Sequence, residues 1–337
     1  MKVTALQSSQ PLNVIIAAFL VAAGVLMGGA SVHAESGQAF TISPPLLEMD
    51  ATPGSVTKAK ISLTNVSSGT LSMSVQTNDF GSKNETGEPN IIFDEGHETP
   101  YSMKNWITKP GDFTLKSKET RDLTVPIKVP SNAEPGGHYA VIRFTGTTPA
   151  GESQQVALSA SIGSLVLLKV AGDIQQSAAV EDFYAATQKF EKRSFFESPP
   201  VSLVTRIRNT GNLHVKPSGT VVVKDMFGKE ISTLRMNGDP SNPKDSPGSV
   251  LPQSVRRFDV TQPDGAFGRY TATMTLNYGD GKVLEKTTDY WVVPYRAILG
   301  VLLVAGLVVF GLIKGLKRYN AYIIEKAKKQ SPDNSDK

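Results

Sequence analysis

Residues 58–65, Lys58-Ala59-Lys60-Ile61-Ser62-Leu63-Thr64-Asn65, decide the fold. Ala59, Ile61 and Leu63 fall on one side of an extended chain, and Lys60, Ser62 and Thr64 on the other. Ser67-Ser68-Gly69 turns the chain, and Leu71, Met73 and Val75 alternate again on the return. A period of two on both arms of a turn belongs to an antiparallel sheet with one dry and one wet face. Toward the N-terminus, Phe40-Thr41-Ile42-Ser43 reads as a short strand stopped by Pro44-Pro45, and Pro53-Gly54 marks a turn. Toward the C-terminus, residues 79–104 are polar and rich in Gly, Asn and Glu, and read as a long irregular loop outside the core. A strand follows at 121–129 with Leu123, Val125, Ile127 and Val129 inward, and Pro126 places it at a sheet edge. A turn cluster at 130–137 leads into a strand at 139–144 with Tyr139, Val141 and Phe144 buried. Residues 156–170 supply one or two more strands, and the apolar run at 164–170 fits a central one.

The second half repeats the first. Residues 172–200 connect the two and carry Phe183, Tyr184, Phe190, Phe195 and Phe196, which either pack at the junction or open the next domain. Strands are expected at 201–209, 219–225, 229–234, 254–260, 268–278 and 283–292. Glycines in Tyr278-Gly279-Asp280-Gly281-Lys282 suit a tight hairpin turn. The strand end Leu63-Thr64-Asn65 before a glycine turn parallels Ile207-Arg208-Asn209 before Thr210-Gly211. Gly136-Gly137-His138-Tyr139 likewise parallels Gly268-Arg269-Tyr270, the longer separation in the first half being absorbed by the 79–104 loop. A sheet with one dry face must cover it with another sheet. The expected fold class is therefore all-β: two tandem immunoglobulin-like β-sandwich domains plus one C-terminal transmembrane helix.

The ends of the chain set its expected destination. Residues 298–313, ILGVLLVAGLVVFGLI, carry no charge and are followed by Lys314, Lys317 and Arg318. With their flanks they reach the roughly 20 residues needed to span a bilayer as a helix. Lys2, an apolar stretch at 12–32 and the ending Val32-His33-Ala34 read as a signal peptide. The domain map is then 1–34 signal peptide, 38–172 first sandwich, 173–293 junction and second sandwich, 295–316 transmembrane helix, and 317–337 basic cytoplasmic tail. Between residues 31 and 295, 26 Lys and Arg stand against 28 Asp and Glu, whereas from 314 onward seven basic residues face three acidic ones. The formal excess of +4 thus sits beside the membrane, which favours a cytoplasmic tail and an extracytoplasmic body and argues against nucleic acid as a partner. There is no cysteine, so thiol catalysis and cysteine metal sites are excluded. A prokaryotic cell envelope is the preferred setting, since long eukaryotic ectodomains usually carry disulfides.

No catalytic or cofactor motif emerges. His97, His138 and His214 are far apart, with no pair at metal-ligand spacing, and the acidic residues of the 79–104 loop do not match a calcium loop. Neither G-x-S-x-G nor H-E-x-x-H is present, and no glycine-rich segment has the phosphate-binding frame. We therefore expect no enzyme, no metal and no cofactor. Three groups remain as candidate contacts. Tyr101, Asn105 and Trp106 form an aromatic strip suited to a carbohydrate. Arg206, Arg208, Arg256 and Arg257 alternate or pair on strand surfaces and suit a polyanion or partner. Trp291, Tyr295, Lys314, Lys317 and Arg318 sit where body, bilayer and tail meet, with Tyr290 beside them.

Phe40-Thr41-Ile42-Ser43-Pro44-Pro45, Pro53-Gly54, Leu63-Thr64-Asn65, Val125-Pro126-Ile127-Lys128-Val129-Pro130 and the run Pro135-Gly136-Gly137-His138-Tyr139-Ala140-Val141-Ile142-Arg143-Phe144 carry a resemblance. In these motifs and in its overall arrangement the chain resembles the Gram-positive WxL-interacting surface proteins. The resemblance implies a peptidoglycan-binding immunoglobulin-like domain, a second such domain that binds a host or partner protein, and a single membrane anchor. The chain departs from that pattern in its extended 81–104 insertion and in a less distinctive second half. The expected function is a membrane-anchored envelope binding or scaffolding protein. Its partners would be peptidoglycan or another wall polymer, another surface or membrane protein, and the lipid bilayer. The alternatives are an accessory subunit of a membrane or surface complex without glycan binding, and, further off, a cell-wall hydrolase.

Overall fold

A computed structural model of the chain describes residues 39–94, 96–148, 159–239, 242, 245–279 and 281–330. The expected signal peptide, the first residue of the expected first domain and the end of the tail lie outside the described residues. Within them, strands β1 (Phe40–Ser43), β3 (Val56–Asn65) and β7 (Thr120–Lys128) form one sheet in the order β1-β3-β7. A second sheet runs β2-β9-β8-β4-β5, from β2 (Leu46–Ala51), β9 (Ser159–Val170), β8 (Gly136–Thr147), β4 (Leu71–Lys83) and β5 (Glu88–Ile92), with β6 (Phe113–Leu115) also on β4. The C-terminal half repeats the plan. Strands β10 (Ala178–Ala186), β12 (Val201–Asn209) and β15 (Val255–Gln262) make a third sheet. The fourth is ordered β11-β17-β16-β13-β14, from β11 (Phe195–Phe196), β17 (Lys282–Val292), β16 (Gly268–Gly279), β13 (Ser218–Asp225) and β14 (Glu230–Met236). Helix α1 (Tyr295–Gln330) closes the described chain.

The opening stretch behaves as its alternation requires: Ala59, Ile61 and Leu63 are buried. They share one core with Val125 and Ile127 of their own sheet and, from the facing sheet, Leu71, Met73, Ala140, Ile142 and Phe144. The strand after the Ser67–Gly69 turn thus crosses to the facing sheet and does not pair with β3 as its alternation suggested. Leu203, Ile207, Val221, Tyr270, Met274 and Tyr290 belong to a separate core between the third and fourth sheets. Pro126 lies on β7, which pairs with β3 and forms an edge of its sheet, so its missing N–H interrupts no ladder.

Three readings are corrected. β2, parallel to β9, was not foreseen, because two prolines precede it and its side chains are only partly covered. The 79–104 segment is not an irregular loop outside the core. β4 runs on to Lys83 and β5 returns as a hairpin, while Met103 and Lys104 are buried. Its polarity misled because its polar groups satisfy one another. The buried Asp79 accepts the Thr99 N–H at 3.2 Å and the Ser102 hydroxyl at 2.6 Å, and pairs with Lys104 Nζ at 3.6 Å. Lys104 Nζ also donates to the His97 carbonyl at 2.6 Å. Finally, Tyr139 and Val141 point away from the first core. They join Phe80 and Leu167 in a third cluster, against which Leu251 of the second half packs. β8 is buried on both faces, so alternation could not tell one from the other.

The internal repeat is physical. Asn65 is fully buried, and its amide donates to the carbonyls of Gly69 at 2.8 Å and Leu115 at 3.0 Å while its oxygen accepts the Ser67 N–H at 2.9 Å. Asn209 does the same with the carbonyls of Leu213 at 2.8 Å and Val250 at 2.9 Å and the Gly211 N–H at 2.9 Å. Each asparagine ties its own turn to a distant loop at the rim of a core. The parallel of the glycine-led strands is shifted by one residue. Counting from Gly136 and Gly268, His138 and not Tyr139 shares the core-side alternation that Tyr270, Ala272 and Met274 occupy. We expect Asn65→Ala or Asn209→Ala to cost about 1–3 kcal/mol, because buried carbonyls lose their donors. Asp at either position should cost more, since a carboxylate would face those carbonyls. Thermal or urea unfolding of the detergent-solubilised chain measures both.

Candidate functional site

The two halves meet through three sets of contacts. At the centre, the N–H of His214 donates to the Tyr139 hydroxyl at 3.0 Å, and that hydroxyl lies 3.3 Å from His214 Nδ1. Tyr139 is buried, and burial pushes its phenol well above the usual range. It can fold back over its strand because residue 137 is glycine; a Cβ there would overlap the hydroxyl. Beside it, Asn212 acts as a pin. Its carbonyl accepts the Gly137 N–H at 2.8 Å, its amide donates to Pro135 at 3.1 Å and Asp173 at 3.0 Å, and its side-chain oxygen accepts the Gln175 N–H at 2.8 Å.

The second contact is a clasp made by the β4–β5 hairpin. Glu85, near its tip, accepts two hydrogen bonds from Arg206, at 2.7 Å from Nε and 2.5 Å from Nη2. Arg206 also lies 3.3 Å from Glu181, which in turn pairs with Arg208. The Arg257 N–H donates to the Glu85 carbonyl at 2.8 Å. The hydrogen bond from Arg206 holds the Glu85 carboxyl below its ordinary range, and Glu85 holds Arg206 above its own. Gly87 sits against the Arg256 guanidinium with φ +81°, where a side chain would be strained and would overlap the arginine. On the opposite flank, Lys216 Nζ reaches Glu48 at 2.5 Å.

Two cavities open beside these contacts. One, of about 810 Å³, is lined by Glu48, Asp50 and Lys169 of the first half and Lys216, Arg235 and Asp239 of the second. The other, of about 240 Å³, has Phe80, Leu165, Leu167 and Leu251 on its walls with Arg256 at its edge. The large cleft carries charges of both signs and suits a polar surface such as a protein segment. Among the described residues no group of three or more His, Asp or Glu gathers as a metal site would require.

The candidates named from sequence fall in different places. Tyr101 packs edge-on against Tyr139, with ring centres 6.2 Å apart, and Trp106 lies 4.5 Å from the ring of buried His138. Both are partly covered, and Asn105 alone of the three is exposed, bonded to Glu98. The strip is thus fastened to the interior on its inner side. The four arginines do not share one face. Register sets Arg206 opposite Arg257 and Ile207 opposite Arg256, so Arg256 belongs to the core side of its sheet. Arg206 and Arg208 are already occupied by Glu85 and Glu181, and Arg257 lies over the Phe190 ring at 4.1 Å. Arg256 donates to the Ser249 carbonyl at 2.8 Å, and burial lowers its pKa. Trp291 and Tyr295 are exposed beside the start of α1, and Lys314, Lys317 and Arg318 lie within that helix. Tyr290, read with them at the bilayer, is instead buried and stacked on Tyr270 at 5.5 Å. Sequence reasoning did not single out Glu48, Glu85, Asn212 or Lys216 as contacts. Their partners lie in the other half of the chain, and no local pattern announces them.

Two outcomes follow from this geometry. Glu85→Gln or Arg206→Met should weaken the clasp by about 1–3 kcal/mol, the worth of a charged, partly buried hydrogen-bonded pair. Hydrogen exchange would then rise in the β4–β5 hairpin while β3 and β12 stay protected. The junction should also loosen in acid. Burial pushes the His214 imidazole down to about 4 against an ordinary 6.5. Between those values the unfolded chain binds a proton that the folded chain refuses, so stability is complete above about pH 6.5 and falls toward pH 4, by on the order of 1–3 kcal/mol. Glu85, depressed in the fold, adds a loss that begins only below its ordinary 4.5. His214→Gln should flatten the upper part of a plot of melting temperature against pH and leave the lower part.

No family model and no curated protein matches the chain. Solved structures do match in outline. The class 5 fimbriae chaperone CfaA shares 11% identity over 74% of this chain and 98% of its own, with a TM-score of 0.40. The E. coli chaperone DraB shares 12% over 75% and 96%, with a TM-score of 0.33. A protein of unknown function from Porphyromonas gingivalis W83 shares 12% over 76% and 100%, with a TM-score of 0.28. Likeness at this level assigns no function to the chain.

Proposed function

We propose that the chain is a single-pass membrane protein of a cell envelope, whose two immunoglobulin-like β-sandwich domains form one clasped extracytoplasmic body that binds a partner protein. The observation that carries this reading is the junction. Glu85–Arg206, Tyr139–His214 and Glu48–Lys216 hold the halves together around an open cleft of mixed charge. A body built only to space one domain from another would need no such investment. Helix α1 supports the membrane part: within Tyr295–Ala327 an 18-residue window has a mean hydropathy of 2.6 and no buried share, so length and composition suffice to cross a bilayer. The basic residues after the apolar run favour a cytoplasmic C-terminus. The body acts as a binding or scaffolding module, not an enzyme.

Binding of peptidoglycan or another wall polymer, implied by the resemblance to WxL-interacting proteins, would fall to Tyr101, Asn105 and Trp106 of the first domain. Those rings pack against Tyr139 and His138, which leaves less open platform than a glycan site uses. The partner-protein reading is therefore preferred. A photo-crosslinking residue at Asp50 or Thr220, both on the cleft wall, should trap a defined protein in cells. The Glu48→Lys variant should reduce that yield by reversing one wall charge. Retention on purified peptidoglycan that is lost in Trp106→Ala, with no crosslink from the cleft, would replace this reading with the wall-binding one.

A further inference from the structure

We infer that the end of the second half nearest α1 is a membrane-docking surface, with the β13–β14 turn and the β15–β16 loop inserting apolar side chains into the outer leaflet of the bilayer that α1 crosses. The inference rests on the membrane reading of α1 and extends it to residues far from the helix in sequence. Strand register places the elements. Phe195 pairs with Trp291, Trp291 with Arg269, and Gly268 with Val292, while Asp225 pairs with Tyr270 one step further in. A Cβ on Gly268 would meet the Met226 methyl at 2.6 Å, which sets the β13–β14 turn beside the start of β16. All these residues lie at one end of the fourth sheet. Val293 and Pro294 alone separate that end from α1, a reach of about 7 Å.

Among the described residues, the same end carries large apolar side chains that are left exposed. Phe227 is 87% exposed, Phe195 67%, Phe267 59% and Met226 46%. They come from three separate segments, and Trp291 and Tyr295 complete the group. The turn that bears Phe227 is closed by its own hydrogen bonds. The Asp225 carboxylate accepts the N–H groups of Phe227 and Lys229, each at 2.9 Å, and Gly228 takes φ +79°. A polar residue would satisfy such a turn equally well, so Phe227 exposes apolar surface with no return inside the fold. Clustered exposed apolar area marks a contact surface. Aromatic rings are favoured at the headgroup level, and the adjoining apolar helix names the bilayer as the occupant.

The absence of native cysteine makes the test direct. Single cysteines would be placed by Phe227→Cys, Thr275→Cys and Val304→Cys in the full chain, labelled with an environment-sensitive dye and reconstituted in nanodiscs. Thr275 is exposed further along β16, and Val304 lies within α1. Quenching by spin-labelled lipid should be at least about twofold stronger at 227 than at 275, as interfacial burial requires. Equal, weak quenching at 227 and 275 with strong quenching at 304 would overturn this inference and leave the membrane span standing. Weak quenching at 304 would overturn the span itself. A label at 227 shielded from water but not quenched by lipid would assign the surface to a protein contact and reject the bilayer.

Discussion

The arrangement of the whole body depends on one buried hydroxyl. Tyr139 lies between the two halves, where an unpaired phenol would cost several kcal/mol relative to water. The backbone N–H and ring nitrogen of His214 satisfy it, so the second half must present residue 214 at one position and in one orientation. Gly137 gives the ring its room, and Asn212 fixes the turn that carries His214. A polar contact of this kind sets geometry more sharply than apolar packing does, since hydrogen bonds tolerate little displacement. Phe80, Leu167 and Leu251 supply the apolar surround that excludes water from it.

The β4–β5 hairpin gives that arrangement a second, peripheral hold. Without it β4 would end near Asp79, and Arg206 would keep only Glu181. With it, a carboxylate from the first half neutralises a basic strand face of the second. The two holds respond to acid in different ranges, the imidazole first and the carboxylate later. The cleft between the halves is bordered by His214 of the central contact and by the Glu48–Lys216 pair.

At the other end of the second half the constraint changes from polar to apolar. The short connection Val293-Pro294 leaves no stalk, so the last strand delivers the fourth sheet directly to α1. Tyr290 turns inward to stack on Tyr270, while Trp291, one residue on, turns outward beside Phe195. Strand alternation thus divides two adjacent aromatics between a core and an exposed face.

Much of the fold was legible along the chain. The alternation at 58–65 and the strand readings at 201–209 and 283–292 fall close to the observed bounds. The repeated strand-end asparagine identified two copies of one local device, because its hydrogen bonds run to its own turn as well as to a distant loop. The apolar run at 298–313 marked the helix that could span a bilayer. Less was legible of the site. Tyr139 was read as buried but assigned to the wrong face, since a strand covered on both sides shows no alternation. Arg206 and Arg208 read as a free basic face because Glu85 and Glu181 lie far from them in sequence. Local periodicity and composition by themselves determined which segments are strands, which is helix and how the charge is distributed, because those depend on neighbours a few residues apart. Only the tertiary structure decided which charges are spent on one another, where the halves lock and which aromatics remain uncovered, because each depends on contacts between residues tens to more than a hundred positions apart.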